Sequence, residues 1–181
     1  MLPAKRTKKR GGSIYMKTVM KKKISIPFNS LGSNLEDILK QKIIKEIEGK
    51  CIEEGFIKSG SVSLINHSSA IVDGINCIFE IMFNALVCRP VDGMKFKCIV
   101  KNITKAVIRA ETNEKKSPVV VFIARDHNYS NKYFSTVKTD QIITIRVIGI
   151  RYELNDEYIS ILAELIEPKK KAKKEKIKLS Q

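Results

Sequence analysis

The sequence predicts an α+β first half, in which one helix covers an antiparallel sheet, followed by an all-β second half that closes into a small barrel. Three observations support this fold class. Residues 77–88 alternate strictly between two sets of side chains, helical spacing of apolar residues is confined to 33–49, and no helical period follows residue 93. The 181 residues, 43% of them hydrophobic and 29% charged, suffice for two small domains.

The stretch CIFEIMFNALVCRPVDG, Cys77–Gly93, organises the chain. A strand points successive side chains to opposite faces, so alternate residues here predict one buried face. That face would hold Cys77, Phe79, Ile81, Phe83, Ala85 and Val87. Pro90 and the Asp92-Gly93 turn signal end the strand. We therefore place a domain joint at Arg89–Gly93, with a first domain over 15–88 and a second over 89–167.

The first half contains a further strand and one helix before this central strand. Tyr15–Phe28 reads as the strand. A capping box of Ser33 and Glu36 predicts the helix start, and Gly49 predicts a left-handed end. The helix's apolar stripe would consist of Leu35, Ile38, Leu39, Ile43 and Ile47.

The region between the helix and the central strand is predicted less sharply. Ile52–Ile65 reads as a strand pair or as one long bent strand, broken at Gly55 and Gly60. Asn66–Asn76 is expected to contain a loop that ends in the Asp73-Gly74 turn.

The second half carries five strand-like runs joined by turns. A hairpin turn is expected at Leu154–Asp156, and Asp126–Thr139 is a polar loop with room for a short helix. Five short strands in about 75 residues suit a closed barrel of the OB type. The runs are Lys95–Ile103, Ala106–Glu111, Val119–Ala124, Gln141–Tyr152 and Glu157–Glu167.

The net charge of +15 is concentrated towards the ends of the chain. Residues 1–23 hold nine Lys or Arg and no acid, and residues 168–181 hold seven Lys and one Glu. The body, 24–167, has 18 basic and 18 acidic residues and is expected to be neutral. We predict disordered basic tails at 1–14 and 168–181, which suit contact with nucleic acid, solubility or nuclear targeting.

Binding, and not catalysis, is the function class that the motifs favour. The sequence has no glycine-rich phosphate loop, no HExxH and no GxSxG, so neither catalytic residues nor a cofactor is expected. His67 and His127 are each expected to be solvated loop side chains. Four cysteines without a CxxC pair predict reduced, partly buried thiols, and no metal site is expected. No apolar run reaches the ~18 residues of a membrane span.

A single-stranded nucleic-acid surface on an OB barrel needs aromatic platforms and cations along a groove. The residues that meet this description lie in the third barrel strand or in the loop that follows it. They are Phe122, Arg125, His127, Tyr129, Lys132 and Tyr133. Phe122 also lies within the continuous apolar run VVVFI, so a core position is an alternative for it.

These runs resemble subunit seven of eukaryotic-type RNA polymerase II and its archaeal counterpart, the E-prime polypeptide. The resemblance covers about residues 15–167. It is carried by KIIKEIEGKCIEEGFI (Lys42–Ile57), AIVDGINCIFEIMFNALVCRPVDG (Ala70–Gly93) and QIITIRVIGI (Gln141–Ile150).

This resemblance implies a non-catalytic stalk subunit of a multisubunit DNA-directed RNA polymerase. An RNP-like first domain would dock on the large and small core subunits beside the clamp and pair with a subunit-four-like partner. The OB domain would contact nascent RNA at the exit. Carried onto this chain, the docking tip would be the loops Pro27–Gly32 and Ala70–Gly74. Its named site residues are Pro27, Phe28, Leu31, Gly32, Ala70, Asp73 and Gly74. Phe28 and Leu31 agree physically, since both are apolar residues in an expected loop.

The chain departs from the family at Lys105–Val107, where the usual glycine turn and aromatic are absent, and in its basic tails. Lys and Ile number 27 each, which fits an AT-rich genome such as that of a large DNA virus. The expected location is intracellular: the nucleus or, for a viral protein, the viral factory and virion. The alternatives are a free-standing OB-fold RNA-binding translation or RNA-processing factor, and a purely structural assembly protein.

Overall fold

A computed structural model describes residues 14–168, which form two β units and one α-helix. The first unit is a six-stranded sheet, and the second is a closed five-stranded barrel consistent with the OB type. The α+β and all-β halves predicted from the sequence are thus both present. None of the helices within this range is long and apolar enough to cross a membrane.

The first unit consists of one helix and six strands, and the last of these strands is the central one of the sheet. Its elements are β1 (Tyr15–Pro27), α1 (Leu35–Ile47), β2 (Cys51–Ile52), β3 (Gly55–Ile57), β4 (Ser63–His67), β5 (Ile71–Asp73) and β6 (Asn76–Cys88). β1 pairs with β6 along all of its length, from Tyr15 opposite Cys88 to Pro27 opposite Asn76. The other edge of β6 pairs in turn with β5, β4 and β3.

The alternation predicted for the central strand is confirmed. Every second residue of β6 is buried in a core that α1 covers. From α1 this core receives Leu39, Ile43 and Ile47, three members of the predicted stripe. Phe28–Ser30, just after β1, forms a short 3-10 turn.

The start of α1 differs from the predicted capping box. The residue preceding the helix is Asn34, not Ser33, and its side chain accepts no capping hydrogen bond. The shift by one residue takes Glu36 out of the position from which it could cap reciprocally. Glu36 and Asp37 lie in the first turn instead, where the helix dipole favours negative charge. At the other end Gly49 has φ +71°, as predicted for a left-handed end.

The region between α1 and β6 contains more and shorter strands than predicted. Ile52–Ile65 forms parts of three short strands, and the expected loop at Asn66–Asn76 contains β5. Gly55 explains one break: it has φ +131°, and a Cβ there would lie 2.4 Å from the carbonyl oxygen of Cys88. His67 is in β4, not a solvated loop; its ring packs edge-on against Phe79, with 6.1 Å between centroids.

All five barrel strands occur where the sequence predicted them. They are β7 (Lys95–Ile103), β8 (Val107–Glu111), β9 (Val119–Ala124), β10 (Ile142–Arg151) and β11 (Ile159–Ile166). The order around the barrel is β10-β11-β9-β8-β7, with β11 and β9 parallel. Two 3-10 turns, Asp126–Asn128 and Lys132–Thr136, lie in the predicted polar loop.

The barrel's apolar core continues into the first sheet. Cys51, Phe56 and Cys88 belong to the same buried cluster as the barrel strands. The backbone of Cys51 also pairs with the β10–β11 hairpin: its N–H donates to Asp156 O at 2.8 Å, and its carbonyl accepts from Asn155 N–H at 2.8 Å. The two units are therefore joined by packing and backbone hydrogen bonds as well as by the Arg89–Gly93 segment.

A polar contact reinforces this junction. The hydroxyl of Tyr15 in β1 donates to Glu114 Oε2, in the β8–β9 loop, at 3.1 Å. Lys58 Nζ lies 3.4 Å from the same oxygen and 4.5 Å from the centroid of the Tyr15 ring. Burial and the Glu114 carboxylate raise the pKa of Tyr15, so its hydroxyl remains a donor at neutral pH.

Residues 24–167 are neutral by count, but the folded part of the chain begins earlier and carries a net positive charge. Four lysines counted with the N-terminal tail belong to β1: Lys17, Lys21, Lys22 and Lys23. Residues 14–168 therefore hold 22 basic and 18 acidic residues, a net charge of +4. Lys17, Lys21 and Lys23 lie opposite β6 residues of the face away from α1, and Lys22 pairs with Glu46 at 3.0 Å.

The four cysteines are free, as predicted, and fully buried. Burial raises the pKa of Cys88 and Cys98 to about 12 and that of Cys51 to about 11. These three thiols are accordingly protonated at neutral pH and poor nucleophiles.

Candidate docking tip and candidate nucleic-acid interface

The two predicted docking loops lie side by side at one end of the first sheet. Pro27 is the last residue of β1 and pairs with Asn76 at the start of β6. The next residue, Phe28, donates its backbone N–H to Ile75 O at 2.9 Å. Gly74, at φ +58°, makes the turn from β5 into β6.

Four large apolar side chains are exposed at this end of the sheet. Their exposed fractions are 67% for Phe28, 67% for Ile71, 68% for Val72 and 81% for Ile75. We call these four residues the apolar tip. A chain of this size ordinarily exposes apolar residues singly, so a cluster indicates a binding surface.

The predicted docking residues do not all belong to this exposed surface. Ala70 and Asp73 are exposed beside the apolar tip. Leu31, in contrast, is half-buried and packs against the core beneath α1. Gly32 lies over the same helix, where a Cβ would be 3.9 Å from Ile38 Cδ1. Leu31 is therefore at least partly a core residue.

Ile71 and Val72 lie within the predicted docking loop Ala70–Gly74 but were not named as site residues, and Ile75 lies just outside that loop. The available signal was their position in AIVDGIN, where apolar residues flank the Asp73-Gly74 turn on both sides. A hairpin turn that points into water normally carries polar residues on both sides.

The second candidate surface is the end of the barrel farthest from the first sheet, which we call the distal end. It is formed by the β7–β8 turn (104–106), the segment 125–141 and the end of β11. Arg125 N–H donates to Ala106 O at 2.8 Å, and Asn131 Nδ2 donates to Leu165 O at 2.9 Å. These bonds tie the three parts together.

Asn128 anchors the segment 125–141 and was not singled out from the sequence. Only 4% of its surface is exposed, and both ends of its amide are used. Nδ2 donates to Ala124 O at 2.9 Å, and Oδ1 accepts from Leu165 N–H at 2.9 Å. A buried amide with both groups satisfied fixes its loop in one position.

Of the predicted RNA-binding residues, His127, Tyr129 and Lys132 are exposed at the distal end, and Tyr129 is 87% exposed. Arg125 is exposed, but its side chain makes contacts within the chain. Its guanidinium lies 5.7 Å from the centroid of Phe134, and Nη1 donates to Lys105 O at 3.3 Å. Tyr133 is half-buried, and its hydroxyl accepts from Gln141 Nε2 at 2.8 Å.

Phe122 occupies a different position from these residues. It projects outward from β9, 37% exposed, between Arg109 of β8 and Leu162 of β11. The core position that its apolar run suggested is therefore wrong. Phe122 lies on the barrel wall, and the other predicted residues lie at the distal end.

The distal end is cationic. Its exposed charged side chains include Lys105, Arg125, Lys132 and Lys138, opposed by Asp126 and Asp140. An exposed aromatic ring among cations is the combination that binds single-stranded nucleic acid.

The apolar tip and the distal end lie far apart. The paired strands β1 and β6 are 13 residues each, which corresponds to about 40 Å at the usual rise per residue. The apolar tip is at one end of these strands. The barrel contacts Tyr15 and Cys88 at their other end, and the distal end lies on the far side of the barrel.

The chain was compared with known protein families and with known proteins. No protein-family profile matches the chain. A protein of Acanthamoeba polyphaga mimivirus is 24% identical over 171 residues, which cover 86% of this chain and 83% of that protein. It is named, provisionally, as a DNA-directed RNA polymerase subunit.

Proposed function

We propose that the chain is a non-catalytic stalk subunit of a multisubunit DNA-dependent RNA polymerase. In this proposal an RNP-like first domain, residues 15–88, docks on the polymerase core near the clamp. The OB domain, residues 89–167, contacts nascent RNA at the exit. The name of the mimivirus relative supports the polymerase as the assembly. The exposed apolar tip is the observation that carries the docking role.

The apolar tip has no evident role inside the folded chain. Full burial of an apolar side chain of this size stabilises by about 1.5–3 kcal/mol. The four side chains keep two thirds or more of their surface in water. A partner that covered them would recover much of that free energy, whereas a freely diffusing RNA-binding factor would gain nothing from exposing them.

The spacing of the two candidate surfaces suits a stalk. A subunit that docks through the apolar tip holds its distal end more than about 40 Å from the docked surface, given the length of β1 and β6. The contacts of Cys51, Tyr15 and Glu114 join the barrel to the first sheet, so the distal end would be held in a defined direction. RNA leaving the polymerase could then meet the distal end without displacing the docked sheet.

The partners implied are the largest polymerase subunits, small core subunits and a subunit-four-like chain. The location would be the nucleus or, for a viral protein, the viral factory and virion. The relative's source favours a large DNA virus.

Affinity purification tests the proposal against a free-standing RNA-binding factor. The tagged chain is purified at moderate salt from the cells that naturally produce it, and the co-purifying chains are identified by mass spectrometry. We expect the large polymerase subunits in near-equal amounts, and their loss with Ile75→Asp. Recovery of the chain alone, or with ribosomes, would contradict the proposal.

A further inference from the structure

We infer that the face of the first sheet away from α1, which we call the open face, binds an amphipathic helix of a partner polypeptide whose acidic flank lies along β1. The inference adds a second protein interface to the proposed function and does not rest on the apolar tip. Two observations carry it: the residues that β1 and β6 direct to the open face, and the barrel packed at one end of that face.

The barrel packs on the same side of the first sheet as the open face. Val87 and Ile57 lie opposite each other and belong to the core that α1 covers. The next pair, Cys88 and Phe56, belongs to the barrel's core. Because neighbouring residues of a strand point to opposite faces, the barrel lies on the side away from α1. The open face is the remainder of that side, which runs from Leu86 towards the apolar tip.

The open face is more apolar than a sheet face that meets only water. In an antiparallel sheet with one buried face, the residues on the other face are normally polar. Three of the five residues that β6 directs to the open face are apolar, and Val19 of β1 is 58% exposed beside them. The five residues of β6 are Ile78, Glu80, Met82, Asn84 and Leu86. A partner that covered the apolar side chains would remove them from water.

A row of lysines borders these apolar residues on the β1 side. Lys17, Lys21 and Lys23 alternate with the buried residues of β1, and all three are exposed. We call them the lysine row. Lys17 and Lys21 lie opposite apolar residues of β6, and Glu80 is the one acid that β1 and β6 direct to the open face. The lysine row therefore places positive charge along one edge of an apolar surface, which complements an acidic partner.

The same features make nucleic acid and membrane poorer occupants. Single-stranded nucleic acid needs exposed rings on which its bases stack. From β1 and β6 this side of the sheet receives the ring of Tyr15 alone, and Lys58 Nζ lies 4.5 Å from its centroid. A bilayer is flat, and the barrel on the same side of the sheet would hold it away from the lysine row.

A second copy of the chain is also a poorer occupant. Two lysine rows brought together would repel each other, since like charges in contact are unfavourable. The helix that a second copy could offer is α1, which holds three lysines and three acids and so has no net charge. The acidic helix therefore has to come from a different polypeptide.

The dimensions of the open face suit one helix. Ile78 and Leu86 are eight residue steps apart on β6, or about 27 Å, which is the length of about 18 helical residues. The strands β1, β6 and β4 span about 10 Å, close to the diameter of a helix. The lysine row extends over about 20 Å and would face acidic residues along about four helical turns. On the β4 side, Ser63 and Asn66 are uncharged, so only one flank of the helix needs to be acidic.

The experiment is site-specific photocrosslinking from the open face. Val19 of the tagged, complete chain is replaced by p-benzoylphenylalanine, and the chain is illuminated in an extract of the cells that naturally produce it. Crosslinked peptides are identified by mass spectrometry. The test variant combines Lys17→Glu, Lys21→Glu and Lys23→Glu. Its control combines Lys40→Glu, Lys42→Glu and Lys45→Glu, which make the same change of charge on exposed positions of α1. Circular dichroism confirms that each variant is folded.

We expect crosslinks to one partner segment with apolar residues at helical spacing and an excess of acids. The lysine-row variant should lower the crosslinked yield at least about tenfold, because three attractions become repulsions, whereas the α1 variant should stay within about twofold. Glu80→Gln should raise the yield about twofold, since it removes the acid that repels the partner. Ile75→Asp tests the apolar tip separately, so either interface can fail while the other stands.

Three kinds of result would overturn the inference. One is a crosslink to nucleic acid, to a second copy of this chain, or to a segment without helical spacing or without an excess of acids. Another is an equal yield from the lysine-row variant and the natural chain. The third is the absence of any crosslink from position 19, which would show that the open face meets only water.

Discussion

Ile75 offers a direct test of the apolar tip. Its side chain is 81% exposed and lies at the turn between β5 and β6. Ile75→Ala removes three carbon atoms, and each buried CH₂ contributes about 0.8 kcal/mol, so burial of the exposed part by a partner should contribute about 2 kcal/mol. That free energy corresponds to a dissociation constant about 30-fold weaker. An exposed substitution of this kind should change the free energy of unfolding by less than about 0.5 kcal/mol.

The assay is a titration of fluorescently labelled chain with polymerase core from which this subunit has been removed. Ile142→Ala is the matched control, because Ile142 is 63% exposed at the start of β10 in the barrel, away from the apolar tip. It should bind within about twofold of the natural chain, as expected for a residue outside the interface. Ile75→Asp should abolish binding in the measurable range, since an unpaired charge would be buried.

Two results would refute this reasoning. Equal affinities for Ile75→Ala and Ile142→Ala would show that the apolar tip is not the docked surface. A lowered melting temperature for Ile75→Ala alone would show that the side chain supports the fold. Leu31 gives the contrast within the same region: because it packs against the core, Leu31→Ala should lower the melting temperature of the isolated chain.

Three further predictions concern the fold. Gly55→Ala should cost about 3 kcal/mol or more in urea unfolding, because the new Cβ meets Cys88 O; Gly60→Ala, also at positive φ but with open space, should cost about 1 kcal/mol. Ile43→Ala should cost about 2–5 kcal/mol, and an unchanged melting temperature would contradict the covering role of α1. Burial raises the pKa of Cys88 and Cys98 to about 12, so both thiols stay protonated in the folded chain at a pH where the unfolded chain releases their protons. The free energy of unfolding should therefore be unaffected by these thiols below about pH 9 and should fall as the pH rises towards 12. A melting temperature as high at pH 10.5 as at pH 7.5 would contradict this prediction.

The sequence predicted those elements in which a periodic pattern runs for many residues. The alternation of β6 and the apolar stripe of α1 each repeat over 12 or more residues, so an error of one residue would have been visible in the pattern. The short strands β2, β3 and β5 have two or three residues each, too few for a period. β3 and β5 form on the free edge of β6, and β2 pairs in turn with β3.

The sequence predicted only part of each candidate surface, because the exposure of a side chain depends on strand register and on neighbours distant in the sequence. Phe28 was recognised because an apolar residue in a loop is unusual, whereas Ile75 required knowledge that its hairpin turn lies beside Phe28. Phe122 and its neighbours Val121 and Ile123 are equally apolar in the sequence, and only the register of β9 shows which of them points outward. The role of Asn128 depends on its bond to Leu165, 37 residues away.

The pairing of β1 with β6 has a consequence during synthesis of the chain. Pro27 pairs with Asn76 and Tyr15 with Cys88, so β1 must wait for more than sixty further residues before its full partner exists. At a synthesis rate of about 5–20 residues per second, this wait is about 3–12 s. During this wait Met20, Ile24 and Ile26, which are buried in the folded chain, would have no sheet to cover them. The lysines at 17, 21, 22 and 23 repel other nascent chains over that interval. The charge of β1 should therefore oppose aggregation of the unfinished chain, before β6 has been synthesised.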